Sequence, residues 1–484
     1  MTREVRRFLP LLLVVLGAAG SLLLTYAASV WWCAAGPLLA LTGLGVYDVA
    51  QRGRPVRRNY PLLDHVPALR QGRRAPAPRY AVGDASLAPP AEPPRVRVGG
   101  PDCSRPYDMA LLNMSGLSFG ALSSRAVLAL NRAAALGRFA QDTGEGGLTE
   151  HHLRGGGDLV WEIGTGYFGC RTSDGGFDAR EFADKAALPE VKCVSLKLSQ
   201  GAGAGAAVLP AEKVSAEVAR ARGVLAGRTV VSPAYHQVFS TPRELVRFLA
   251  RLRESAGGKP TGLKLCVGSR REFLALCRAM LAEGVAPDFV VVDGAEGGTG
   301  APPTAASDRL GLPLTEGLVT VHNALVGCGL RDSIRIGASG GITTGADLVR
   351  RLTQGADYTN AGRAMMTATG CVRAARCHTG TCPAGITTQD PLRTWALDVP
   401  EAAARAHAYQ RETVRDALRI MAAMGVRNPS ALSPARLVRR TPPTAESSSA
   451  APHEWLAPGV LLAEPPSSWA ADWAAADPDS FASS

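Results

Sequence analysis

Aromatic side chains make up only 6% of this 484-residue chain, while glycine is abundant at 53 residues. That balance argues against a β-sandwich, whose core leans on aromatics, and for many short loops between strands and helices. Even cysteine spacing is also missing. The ten cysteines do not form the paired pattern of a secreted disulfide framework, so reduced intracellular thiols are expected. A basic face is lacking over most of the chain. Of the net charge of +11, residues 1–80 carry +8 and the other 404 residues only +3. With no zinc-finger or RRM-type motif either, nucleic acid is excluded as a partner.

Charge is absent altogether from Phe8 to Tyr47. A helix crosses ~30 Å of hydrocarbon in about 20 residues, so this stretch has the length for two transmembrane spans. Tyr26, Trp31 and Trp32 suit an interfacial turn, and arginines flank both ends (Arg3, Arg6, Arg7; Arg52, Arg54, Arg57, Arg58). Positive charge on both sides predicts a transmembrane helical hairpin over residues 1–50, held in the inner (cytoplasmic) membrane with the rest of the chain in the cytoplasm. The rival is a signal peptide followed by a second apolar stretch. Residues 51–100, rich in Pro and Arg, read as a linker or arm. Residues 441–484 read as a low-complexity tail.

Strand-like apolar runs fall at 108–115, 137–142, 191–199, 228–234, 261–268, 287–294, 333–340 and 355–362. Helical patterns separate most of them; one opens on Thr241 with Glu244 three residues on, a capping signal. Eight buried parallel strands alternating with helices predict an α/β fold, a (β/α)8 TIM barrel over residues 101–440. An open doubly wound sheet is the alternative.

In such a barrel, polar residues at the C-terminal ends of strands face the active site. Lys197 and Gln200 stand in "VSLKLSQGAGAG", Lys264 in "TGLKLCVG", and Asp293 and Gly294 in "VVVDGAEGG". A lysine inside an apolar strand is costly unless it is paired, which points to function. Ser115 closes the first strand, and Glu145 sits among glycines after the second. A carboxylate placed there can orient an amine or imine, or donate a proton. Gly340, Gly341, Gly362 and Arg363 end the last two strands, where barrels hold phosphates. The stretch Gly201-x-Gly203-x-x-Ala206 imitates a dinucleotide fingerprint, but Pro210 and a missing acidic partner count against it. His151 and His152 read as structural or surface residues.

Cys371, Cys377 and Cys382 are spaced C-x5-C-x4-C. Structural zinc sites and the common iron–sulfur clusters want four ligands. By spacing alone this trio has no assignment.

Blocks such as "GDLVWEIGTGYFGCRT", "PDFVVVDGAEGGTGAPP", "RIGASGGITTGADL" and "GCVRAARCHTGTCPAGITTQDPLR", in order from about residue 50 to 440, make the chain resemble the FMN-binding glutamate synthase family. The nearer likeness is to shorter, membrane-tethered relatives with a single subunit. The resemblance implies FMN, and a [3Fe-4S] cluster on Cys371, Cys377 and Cys382. It implies FMN contacts from Ser115, Gln200, Lys264, Asp293, Gly294, Gly340, Gly341, Gly362 and Arg363. Glu145, Lys197 and Lys264 are the implied catalytic residues. The implied reaction reduces a 2-oxo acid-derived imine, 2-oxoglutarate plus ammonia giving glutamate. Electrons would come from an external donor such as a ferredoxin or a separate reductase, since no nicotinamide site is evident. No glutaminase nucleophile opens the chain, so ammonia is expected from outside it. The family loop carries a cation where this chain has Gly203, which leaves room for a different small amine or hydroxy acid as substrate. A non-catalytic electron-transfer module is the third reading.

Overall fold

A computed structural model describes residues 8–62, 79–80, 88–200, 207–297, 311–441, 445–448 and 453–481. Two strands, β1 (Arg95–Val98) and β2 (Tyr107–Ala110), pair as an antiparallel hairpin. The chain then enters a closed barrel with β3 (Leu112–Met114), β4 (Gln141–Asp142), β5 (Leu159–Ile163) and β6 (Val191–Lys197). It leaves for a short antiparallel pair, β7 (Val208–Leu209) and β8 (Val230–Val231). It returns with β9 (Thr261–Leu265), β10 (Phe289–Asp293), β11 (Arg335–Ser339) and β12 (Tyr358–Ala361), and β12 pairs with β3 to close the ring. All eight barrel pairings are parallel.

The barrel expected from the sequence is therefore present, with three corrections. The run at 228–234 is not a barrel strand; Val230 and Val231 sit outside it, and Val231 is exposed. The eighth strand is "LVWEI", whose five residues are all buried. The run at 108–115 splits, its first half joining the hairpin and its second half the barrel.

Helices cover the barrel because each has one apolar stripe. Helix Pro242–Ser255 is typical: Pro242 opens it, the Thr241 hydroxyl accepts from the Glu244 N–H at 3.1 Å, and Leu245, Val246, Leu249 and Leu252 are buried. Inside the ring, strand alternation sorts the side chains. Val160, Phe289, Val291 and Tyr358 form an inner cluster with Val98 and Met109 of the hairpin, which plugs the N-terminal end. Residues two further along share that face, so Glu162 and Asp293 also project inward, toward the C-terminal mouth.

Helices Leu9–Leu24 and Trp32–Ala50 lie side by side, with Leu11 against Gly45 and Leu38 against Gly17. Among the described residues two full spans are not found. There, one helix, Ser29–Ala50 with 22 residues, is long and apolar enough to cross a membrane; Leu9–Leu24 has 16 residues, about 24 Å at 1.5 Å per residue.

The tail also departs from expectation. Residues 453–481 pack on the barrel helices, burying Leu456, Leu461 and Trp469. Arg270 stacks on Trp469 and pairs with Asp472, and Arg243 holds Asp479 at 2.6 Å. Its apolar residues had no visible partner in the sequence, but the barrel's outer helices supply one.

Candidate active site at the barrel mouth

Lys264 lies on β9, and its Nζ donates to Glu162 Oε2 of β5 at 2.6 Å; both side chains are buried. Asp142, at the end of β4, completes the group. A Cβ added to Gly116 would lie 2.7 Å from Glu162 Oε2, 3.0 Å from Lys264 Nζ and 3.1 Å from Asp142 Oδ1. Three ionisable side chains thus converge on one glycine, and a side chain there would have to push one of their ends aside. Burial opposes the charge on Lys264, but Glu162, Asp142 and Asp293 outweigh it, so the ammonium is held above the ordinary lysine value. Asp142 is raised too, but for a carboxyl that favours the neutral form: burial first, then the Glu162 charge, lift it despite Lys264.

One strand over, register places Lys197 beside Lys264. Lys197 Nζ donates to Glu145 Oε2 at 3.0 Å and to Gln200 Oε1 at 2.8 Å. Burial would raise the Glu145 carboxyl, but Lys197, with help from Arg222 and Lys264, holds it below the usual carboxylate range. An ionised Glu145 can orient a cationic imine, and its lowered proton affinity argues against the role of acid. His236 braces this strand end, its Nε2 2.9 Å from the Lys197 carbonyl and its Nδ1 3.2 Å from the Tyr167 hydroxyl.

The predicted cofactor residues ring the same mouth. Ser115 Oγ is 3.0 Å from Ser339 Oγ, and the Gly294 N–H donates to the Ser339 carbonyl at 2.9 Å. Asp293 ends β10 in register with Ser339. Gly340 and Gly341 have φ of +124° and +65°, a backbone path that disfavours side chains and leaves the turn before helix Gly345–Thr353 open. Gly362 caps helix Arg363–Thr369, and Arg363 reaches back to the Glu296 carbonyl at 2.6 Å. The cradle fits a flavin phosphate by its bare backbone. The residues 201–206 of the altered loop lie outside the described residues; the strand at Val208–Leu209 that follows is not the helix a dinucleotide fingerprint requires.

Sequence reading missed Glu162 and Asp142. Glu162 carries the same signal as Lys264, a charge inside an apolar run, within a block quoted only for its likeness. It also missed Arg222, buried and donating to the Phe119 carbonyl at 3.1 Å. Lys213, 2% exposed, escaped notice because it ends a single 3-10 turn, Ala211–Lys213, with no apolar periodicity around it. His152 is fully buried, and His151 meets Glu217.

The three cysteines follow the last barrel strand. Cys382 is buried, while Cys371 and Cys377 are partly so. Among the described residues, the one trio of potential metal ligands within 4.8 Å of one another is Glu150, His151 and Glu217, so the thiols are spread wider than the ligands of a single ion. Thiolate sulfurs are the donors on which iron–sulfur clusters are held, so the residue types of this trio suit such a group. The cysteine segment is laced to the loop after β3: Gln389 donates to the Gly120 and Leu122 carbonyls, and Ser123 Oγ to the Gly385 carbonyl at 2.8 Å. That same loop carries Gly116, so one short segment links the thiols to the Lys264 group.

Residues 107–427 match the conserved region in glutamate synthase. The chain belongs to the glutamate synthase family. The glutamate synthase large subunit-like protein YerD of Bacillus subtilis (strain 168) is 40% identical over 345 residues, 71% of this chain and 66% of that one. The archaeal glutamate synthase [NADPH] of Methanocaldococcus jannaschii is 34% identical over 294 residues, 60% and 54%. The ferredoxin-dependent glutamate synthase of Antithamnion sp. is 32% identical over 236 residues, 48% and 15%. The chain thus spans less than two thirds of each of these relatives of the glutamate synthase family. Among solved structures, a flavocytochrome b2 mutant with pyruvate bound aligns over 74% of this chain and 80% of that one at 13% identity, with a TM-score of 0.41.

Proposed function

We propose that this chain is an FMN- and [3Fe-4S]-dependent oxidoreductase of glutamate synthase type, which reduces the imine of 2-oxoglutarate and ammonia to glutamate. The observation that carries the reading is the pair of buried lysine–carboxylate contacts, Lys264–Glu162 and Lys197–Glu145, side by side at the C-terminal mouth of a barrel in this family. Bound FMN would supply hydride chemistry and the cluster single-electron supply from an external donor.

The chain's own residues account for the rest. Lys264, kept cationic chiefly by Glu162, offers fixed positive charge where negative charge develops on reduction. Ser115, Asp293, Gly294 and the glycines at 340, 341 and 362 with Arg363 would seat the flavin and its phosphate. Glu145 would hold the cationic imine nitrogen. An ammonium has three donors, and Lys197 spends two on Glu145 and Gln200, which leaves one for a substrate carboxylate. Helix Ser29–Ala50 would tether the protein to the inner membrane, with the barrel in the cytoplasm.

A second reading takes a less acidic oxo acid. It is favoured by Gly203 in place of the family's cation, and by a cavity of about 410 Å³ beside Ser199 and His236, walled by Phe239, Phe273, Leu276 and Phe481. Anaerobic purification tests both. Yellow-brown protein carrying flavin and iron, which forms glutamate from 2-oxoglutarate and ammonia when reduced, is the expected result. Coloured protein reoxidised only by other oxo acids selects the second reading, and colourless protein without flavin or iron overturns both.

A further inference from the structure

Lys213 is 2% exposed, and its ammonium has no carboxylate within 4.0 Å among the described residues. Nζ donates to two carbonyls, Ala121 at 2.8 Å and Cys377 at 3.0 Å. Its stem lies against Gly380, where an added Cβ would be 3.5 Å from Lys213 Cγ. The cation is therefore wedged beneath the turn between the second and third cysteines. Its neighbour Glu212 is exposed, so water screens that charge. Burying an ammonium costs several kcal/mol when nothing of opposite charge meets it, and two carbonyl dipoles only partly offset that. Every other buried lysine–carboxylate contact at the mouth is a direct pair. The groups at this turn that can become anionic are the thiols of Cys377, whose own carbonyl accepts from Lys213, and of Cys382 at the turn's other end. Metal coordination deprotonates a thiol outright.

We propose that Lys213 is the counter-cation of the iron–sulfur centre: its buried ammonium balances the thiolates of Cys371, Cys377 and Cys382 and raises the centre's reduction potential. The proposal rests on the reading that these cysteines hold a cluster. Net charge and hydrogen bonding around the sulfurs set such potentials, and a fixed cation favours the more negative, reduced form. Lys213 is thus a positioning and tuning residue that touches a carbonyl of the ligand turn and no reacting atom.

The test is a redox titration of the cluster by electron paramagnetic resonance, on the full chain after anaerobic reconstitution. Wild type is compared with Lys213→Met, Lys213→Gln and Lys213→Arg; iron, flavin content and circular dichroism are followed in each. At the wild-type midpoint, the ratio of reduced to oxidised cluster should fall at least tenfold in the Met and Gln proteins, a shift of about 59 mV for one electron. The Arg protein should stay near wild type. Loss of the cluster from Met and Gln but not Arg also supports the charge requirement, and if Met alone loses it, Gln decides. Met and Gln proteins that keep the cluster and titrate with wild type overturn the proposal. So does cluster loss from all three with the barrel still folded and flavin-bound, which would make Lys213 a geometric clamp. Wild type that takes up no iron would instead sink the cluster reading itself.

Discussion

At the N-terminal end of the barrel, Asp288 is completely buried and saturated: it accepts from the Gly100 and Thr261 N–H groups at 2.7 and 2.8 Å and from Arg253 at 3.3 Å. At the C-terminal end, Lys264, Glu162 and Asp142 are as deeply buried but crowd around a bare glycine, facing one another across open backbone. Both ends bury charge. The first spends it on joining a hairpin, two strands and a helix, with its lone pairs taken up by backbone. The second leaves charge and donors turned toward the place where the family's chemistry would occur. Saturation, more than burial, separates a structural charge from a working one.

The largest expected effect comes from breaking the saturated end. Asp288→Ala leaves two buried N–H groups without a partner and takes from Arg253 one of its two carboxylates, Asp102 remaining. It should cost about 2–5 kcal/mol in urea unfolding, while protein that remains folded keeps its flavin affinity. A loss under 1 kcal/mol would erase the contrast between the ends. Next, Lys264→Met should lower turnover by about 10²- to 10³-fold, the scale of removing one electrostatic stabiliser. Unchanged turnover with intact flavin content would remove Lys264 from the chemistry.

Acid should act on the mouth through buried imidazoles. Burial lowers His152 to about 3 and His236 to about 4. Both therefore bind fewer protons folded than unfolded, so stability is complete above pH ~6.5 and falls as pH drops toward those values. At pH 5.5 the loss should be about 1.4 kcal/mol per histidine, read as a lower melting temperature. A melting temperature flat from pH 7.5 to 5.5 would contradict it. The smallest effect is expected from Asp142→Asn. Its raised carboxyl favours the protonated form that Asn imitates, so turnover should fall by far less than the ~10²-fold that loss of a general acid costs. The pH–rate profile should lose one ionisation. A collapse in turnover would make Asp142 a required anion.

Most of the barrel could be read in the chain because apolar runs between amphipathic helices leave few other arrangements. The runs could not show which of them closes the ring: "RTVVSPA" looks more strand-like than "LVWEI", yet the barrel takes the latter. At the mouth, Lys197, Gln200 and Glu145 were each visible as oddities, and they meet within hydrogen-bond reach. Glu162 was equally odd and was passed over. The tail was misread because Trp469 and Leu461 are apolar without a partner until the barrel helices are in place.

Composition and periodicity by themselves determined parallel strands between helices with charge at the strand ends, since near-continuous apolar runs must be covered on both faces; barrel and open doubly wound sheet both satisfy that. Only the closed ring decided that Lys264 meets Glu162 from 102 residues away, and that Lys213 lies under a cysteine turn 164 residues later. The first contact depends on strand register, where a slip of one residue would turn a side chain to the opposite face; the second depends on how two 3-10 turns pack beside the ring.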